Sequence, residues 1–291
     1  AQTAPEEGRV KLILRLDPGF GAAHAAGRTA SAQLLLDGSD SNTASIVLGY
    51  AGSIAGRYNT EVMASRMARS TGQQIEAEPV TLTQRAWFNP SLESRWFFIP
   101  AVIAQLVMII SILLSSMAIV REREIGTMEQ IMVSPMGRVE FILGKTLPFA
   151  LIGFLNVALV STVGVFWFEI PLQGSLLLLT AATALFLLST LGVGLLISTL
   201  SQTQQQAMMS AFFFVMPAIL LSGFVYPIAN MPIWIQWITY LNPLRYFLIV
   251  LRALFLKGSG VSILWPQLLA LLVLGVALLG LASSRFRKTT T

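Results

Sequence analysis

Residues 97–120 read FFIPAVIAQLVMIISILLSSMAIV, a run without a single Asp, Glu, Lys, Arg or His. About 20 consecutive apolar residues are what a helix needs to cross the hydrocarbon core of a bilayer. Working outward, the same signature recurs at 146–165, 175–200, 207–225 and 264–281, again with no ionisable side chain. The composition agrees: of 291 residues 55% are hydrophobic and 11% charged, and the mean hydropathy is +0.71. A soluble domain is about one quarter charged. These figures exclude a disordered chain, a nucleic-acid-binding domain and an ordinary cytosolic enzyme. They predict a mainly α, polytopic membrane protein with five spans. The net charge of +5 then reads as the Lys and Arg excess of cytoplasmic membrane edges rather than a surface for nucleic acid.

Charge divides the chain. Residues 1–96 hold 18 of the 33 charged side chains and the remaining 195 residues hold 15. A soluble domain over 1–96 is therefore expected ahead of a membrane domain over 97–291. The soluble part reads as α/β. A strand is expected at 10–16 (VKLILRL), a turn at Asp17-Pro18-Gly19, a short Ala-rich helix at 21–26 and a second strand at 32–36. Ser41 or Asn42 is expected to cap a long helix running to about Arg69, with Ile46, Tyr50, Ile54 and Tyr58 spaced for one face. The alternating stretch 75–84, with Pro79, suits an edge strand. With no cysteine and one histidine, His24, disulfides, thiol catalysis and His/Cys metal clusters are excluded. His24 lies among Ala and Gly and reads as a solvated or loosely packed residue.

Orientation follows from the basic residues. Arg121, Arg123, Arg138 and Lys145 follow the first span, and Arg285, Arg287 and Lys288 end the chain; the loop at 166–174 has no basic residue. Placing the basic segments inside puts 1–96 on the periplasmic or extracellular side and the C-terminus in the cytoplasm. A domain outside requires export, so a sixth span is expected upstream of Ala1. The segment 226–263 strains the charge rule, because it carries Arg245, Arg252 and Lys257 yet falls outside. Pro227, Pro232 and Asn242-Pro243 cut it into apolar pieces too short to span. It reads as two short re-entrant helices, with a flat interfacial helix pair and its aromatic belt as the alternative. Arg245 and Arg252, seven apart, share a helical face that points to a wet outer exit. Within the spans, Gln105, Ser111, Ser115 and Asn156 are the polar positions that could line a path, with hydrogen bonding inside or between helices the equal alternative.

The stretch 120–145, VREREIGTMEQIMVSPMGRVEFILGK, is charged, amphipathic and bounded by Pro135. From spacing alone it is a helix lying at the membrane surface over about 121–135. Its residues resemble the intracellular coupling element of ABC type-2 transporter permeases: Glu124, Gly126, Thr127, Glu129 and Pro135 match that pattern position by position. The resemblance continues through LLISTLSQTQQQA (195–207), LLSGFVYPIANMP (220–232) and YLNPLRYFLIVLRALFLKG (240–258), and DGSDSNTASIVLGY (37–50) is similar to the external domain of the bacterial multidrug-type subgroup. The resemblance implies the membrane subunit of an exporter in the inner membrane, paired with an identical or sister permease half. It implies no nucleotide or metal site in this chain, with ATP and magnesium bound on two copies of a separate ATPase. It further implies that Glu122, Glu124, Gly126, Thr127 and Glu129 couple to that ATPase, and that the cargo is drug-like or lipid-like.

Other readings are weaker. Gly144-Lys145-Thr146 ends like a phosphate loop, but Val139 stands where the motif needs glycine. An ion-coupled transporter needs ionisable groups within the membrane, and an intramembrane hydrolase needs a catalytic dyad there; the five runs have neither. A non-transporting sensor with an external ligand domain has no use for five spans and re-entrant helices. Gly192 and Gly194, two apart, mark close packing without the four-residue spacing of the helix-dimer motif.

Overall fold

The computed structural model describes residues 12–26, 28–69, 80–127 and 137–285. They divide into two compact units that meet between Phe97 and Phe98.

The first unit is a three-stranded sheet with two helices. Strand β1 (Leu12–Leu16) turns at Gly19, whose φ of 87° suits glycine alone, into α1 (Phe20–Ala25). Strand β2 (Ala30–Asp37) pairs antiparallel with β1, Leu14 opposite Leu34, and parallel with β3 (Val80–Trp87), Leu34 opposite Gln84. The parallel pair needs a crossover, supplied by α2 (Ser41–Arg69). Thus β3 is an edge strand, beginning within the expected stretch and ending later; Pro79 lies outside the described residues.

The cap of α2 is Asp40 rather than Ser41 or Asn42. Its carboxylate accepts from the Thr43 backbone N–H at 3.1 Å and from the Thr43 hydroxyl at 2.7 Å. A carboxylate one residue earlier reaches the orphan amides of the first turn, and its charge suits the helix N-terminus. Ile46, Tyr50, Ile54 and Tyr58 do share a face, and that face is exposed. The partly or fully buried stripe is instead Ala44, Val47, Leu48, Ala51 and Ala55. Small residues let the helix lie close to a sheet face built from Ala32, Leu34, Leu36 and Ala86, all buried.

The second unit is helical. Helix α3 (Ser94–Ser116) breaks through a turn into the short α4 (Val120–Ile125), which stops at Gly126 with φ 86°. Then follow α5 (Arg138–Phe166), α6 (Leu176–Leu200) and α7 (Gln204–Leu220). Helices α8 (Ile233–Thr239) and α9 (Pro243–Arg252) come next, the second prolonged by a π-helical turn over Ala253–Lys257; α10 (Val261–Arg285) closes the chain. Four helical stretches, α3 with α4, α5, α6 and α10, are long and apolar enough to cross a membrane. Helix α7 has 17 residues, about 25 Å at 1.5 Å per residue, the lower limit for a span. It starts earlier than the apolar run at 207–225 and ends short of it. Gly223, at φ 83°, turns the chain although Phe224 and Val225 continue the apolar composition. The segment expected to be re-entrant forms two helices, α8 and the α9 rod, that meet at a bend of 80°.

Helix α6 is the axis of this unit and is mostly buried, whereas α5 and α10 leave most of their surface open. Its two glycines explain why. Residues two apart point to nearly opposite sides of a helix, so each opens onto a different neighbour. A Cβ on Gly192 would stand 3.1 Å from the Leu279 amide nitrogen of α10, and one on Gly194 would stand 2.9 Å from the Ile112 carbonyl oxygen and against the Ser115 hydroxyl of α3. The pair is a two-sided packing seat within one chain.

Candidate functional site

At one end of the helical unit the charged side chains gather where four helices stop or start. Buried Ala118, Ile119, Phe141, Ile142, Leu195 and Ala282 form the apolar base. Above it, the break between α3 and α4 exposes backbone amides that a continuous helix would have satisfied. The Ser198 hydroxyl of α6 accepts from the Ile119 N–H at 2.9 Å and from the Val120 N–H at 3.0 Å, both buried bonds.

Three successive residues of α4 then reach three different helices, as the 100° step of a helix allows. Glu122 forms an ion pair with Lys145 of α5 and accepts from the Thr127 hydroxyl. It lies beyond the apolar run, and the Lys145 bond, with that of Thr127, holds its carboxyl below the usual carboxylate range, so it is ionised at neutral pH. Arg123 donates to the Ser201 carbonyl at 2.8 Å, at the C-terminus of α6, where a cation is favoured. Glu124 accepts from Gln204 at the first residue of α7, from its backbone N–H at 3.2 Å and its side-chain amide at 2.8 Å. Thr203 accepts from Gln206 N–H at 3.2 Å. The glutamine cluster at 202–206 is thus the start of a helix whose first donors are served in part from another segment.

Arg121 and Ile125 are exposed, as are Arg123 and Glu124. Gly126 ends α4, and Thr127 closes back onto Glu122. Glu129 and Pro135 lie outside the described residues. Gly144-Lys145-Thr146 sits inside α5, with the Thr146 hydroxyl on the Ile142 carbonyl at 2.9 Å and Lys145 on Glu122, so no phosphate-binding loop exists there. Among the described residues no group of three or more His, Cys, Asp or Glu could hold a metal ion. His24 has a partner that the sequence did not reveal: its Nε2 lies 3.1 Å from the Tyr58 hydroxyl.

The opposite end is aromatic. Phe166, Trp167, Trp234, Trp237 and Trp265 are exposed there, as residues of a membrane–water interface are. The α5–α6 loop is fastened to the π turn by Gly174 N–H on the Leu254 carbonyl at 2.8 Å. Asn242 caps α9 through the Leu244 N–H at 3.1 Å and donates to the Ala218 carbonyl at the end of α7 at 2.7 Å. Arg245 stacks on Tyr240 at 4.0 Å, lies 5.9 Å from the Tyr246 ring and donates to the Thr239 hydroxyl. That guanidinium binds α8 to α9 across their bend. Arg252, two turns on, is half-buried.

The polar span residues separate into two kinds. Ser111 and Ser115 are buried, and Ser115 packs against Gly194 of α6. Gln105 and Asn156 are half-buried. The Gln105 amide nitrogen is enclosed without a protein hydrogen-bond partner, beside the exposed strip Phe98, Val102 and Leu106.

A family model described as "ABC-2 family transporter protein" matches residues 1–283. The chain belongs to the ABC-2 family of transporter permeases. It is a multi-pass membrane protein. The permease is 36% identical over 277 residues to the probable multidrug ABC transporter permease YbhR of Escherichia coli K12, covering 95% of this chain and 73% of that one. To YbhS of the same organism, also named a probable multidrug ABC transporter permease, it is 38% identical over 260 residues, 88% of this chain and 67% of that one. To the inner membrane transport permease YhhJ it is 31% identical over 290 residues, 98% of this chain and 75% of that one. In this permease the residues that sequence reasoning missed are Ser198, Ser201 and Gln204. Ser198 carries no signal of its own in the apolar run, and Ser201 and Gln204 stand only as polar residues that follow it.

Proposed function

We propose that this permease is the membrane subunit of an ATP-driven exporter in a bacterial inner membrane. Its charged end lies in the cytoplasm and its first unit in the periplasm or outside the cell. Two copies of a separate ATPase, which bind the ATP and magnesium, dock on the segment that begins with α4, and a second permease half, identical or a sister chain, completes the pathway. The observation that carries the reading is the α4 cluster, because one short segment holds the ends of α5, α6 and α7 together. A partner that displaces such a segment displaces three helices. Within it, the exposed Arg121, Ile125 and Gly126 are among the described residues open to the ATPase.

A drug-like or lipid-like cargo is supported by the spans themselves. Their described residues carry no charge within the apolar runs, and an unpaired charge at mid-membrane costs at least about 2.5 kcal/mol. Exposed Met208, Met209, Phe212, Phe213 and Met216 of α7, with Phe98 and Val102 of α3, offer adaptable apolar surface. Gln105 is the polar group best placed along that surface. The test is purification of the full permease from its native membrane. An ATPase subunit in equal amount, with vanadate-sensitive hydrolysis, is the expected result; a permease that purifies without any ATPase removes the proposal.

A further inference from the structure

Helix α7 is held along a narrow stripe and at its two ends. Its buried residues are four small or β-branched ones, Ala207, Ala211, Val215 and Ala218, a narrow stripe along one side. The rest of its length, from Met208 to Leu220, is largely open. A shallow stripe of this kind lets a helix slide or tilt at low cost, because few side chains interlock. Its ends, by contrast, are fastened by directed hydrogen bonds. At the charged end the Glu124 carboxylate takes two donors of Gln204. At the aromatic end Asn242 donates to the Ala218 carbonyl, one of the C-terminal carbonyls that the helix itself leaves unpaired. The first anchor belongs to α4 and the second to the N-cap of α9. The two anchors therefore join the two short-helix elements of the permease through one rod about 25 Å long.

We infer that α7 is the tie between the ATPase-facing segment and the re-entrant pair, with Glu124 and Asn242 as its positioning residues. Movement of α4 pulls the N-terminus of α7, and the Ala218 carbonyl carries that displacement to the bend between α8 and α9. Glu124 thus acts inside the permease rather than on the ATPase surface. The physical requirement at Glu124 is an oxygen acceptor reaching Gln204, and at Asn242 a donor reaching Ala218 while the α9 cap is kept. Both requirements separate variants cleanly. Glu124→Gln retains an acceptor and Glu124→Ala does not. Asn242→Ser retains a capping oxygen for Leu244 and is too short to reach Ala218.

This inference rests on the proposed ATPase partnership, and the experiment keeps the two apart. In the full permease purified with its ATPase into nanodiscs, a single thiol is placed on α8 at Trp234, which is exposed; the chain has no native cysteine. Its reaction rate with an impermeant maleimide is read with and without ATP and vanadate, alongside ATPase co-purification and thermal melting. The expected result is a change of threefold or more in the parent protein, retained in Glu124→Gln and abolished in Glu124→Ala and in Asn242→Ser, with the ATPase still bound and melting within a few degrees. A parent protein that responds, with a Glu124→Ala variant that responds equally, overturns the tie while leaving the exporter reading intact. Loss of the ATPase from Glu124→Ala also overturns it, because Glu124 is then a docking residue. A parent protein that purifies with no ATPase removes the exporter reading and this inference with it.

Discussion

The two ends of the helical unit solve one problem with different chemistry. Each contains a short helix next to a break in the helical chain, and each must satisfy the backbone groups that the break leaves open. At the charged end the solution is a set of hydroxyl and charged side chains placed on helix termini: Ser198 on two amides, Arg123 on the end of α6, Glu124 on the start of α7. At the aromatic end it is stacking and capping: Arg245 on Tyr240, Asn242 on α7 and α9. Hydrogen bonds to charged groups at a water-facing edge exchange readily with solvent or a partner. An arginine sandwiched by tyrosines near an interface is far less free to do so. The charged end is therefore the easier of the two to rearrange, and the aromatic end the stiffer.

The strongest way to break both ends at once is through the axis they share. Gly194→Leu forces a side chain into the Ile112 carbonyl and the Ser115 hydroxyl. Overpacking of a close contact costs about 1–3 kcal/mol and sometimes more, and here backbone stands in the way. Loss of monodisperse permease in detergent, seen by size-exclusion chromatography, is the expected outcome. A Gly194→Leu protein that elutes and melts like the parent contradicts the packing of α3 on α6.

How much of this was legible in sequence differs between the two units. The membrane helices were visible because apolar runs bounded by charges have one physical explanation. The break between α8 and α9 was visible because Pro232 and Asn242-Pro243 sit inside an apolar stretch. The exposed stripe of α2 was legible only as periodicity: spacing says which residues share a face, and only the tertiary partner decides which face is buried. The charged end was half legible. The acidic and basic residues at 122–124 stood out, but their partners on other helices lie 23 to 80 positions away, at helix ends whose orphan groups no local pattern announces. Ser198 in particular looks like any serine of an apolar span.

That serine gives the next test. Ser198→Ala leaves the Ile119 and Val120 amides buried without an acceptor, at a cost of about 2 kcal/mol. The expected result is a lower melting temperature with a disturbed charged end and an unchanged aromatic end, read by hydrogen exchange of α4 against α9. Equal protection of α4 in both proteins would contradict the role given to the hydroxyl.

At the aromatic end a smaller and more diffuse effect is expected. Arg245→Gln removes a stacking contribution of about 1–2 kcal/mol and loosens α8 from α9. Because the guanidinium is engaged by Tyr240, Tyr246 and Thr239, export of anionic and neutral cargo should fall by the same factor. A loss confined to anionic cargo would support the outer-exit role that the spacing of Arg245 and Arg252 predicts.

The contrast between the ends has a direct spatial test, since the account requires them to face opposite compartments. A thiol at Trp234, exposed at the aromatic end, and one at Gln205, exposed at the start of α7, are introduced singly into the cysteine-free permease. Intact cells are treated with an impermeant maleimide. The account predicts labelling at Trp234 in intact cells and labelling at Gln205 only after the membrane is opened; labelling of the Gln205 thiol in intact cells, with the Trp234 thiol protected, would contradict it.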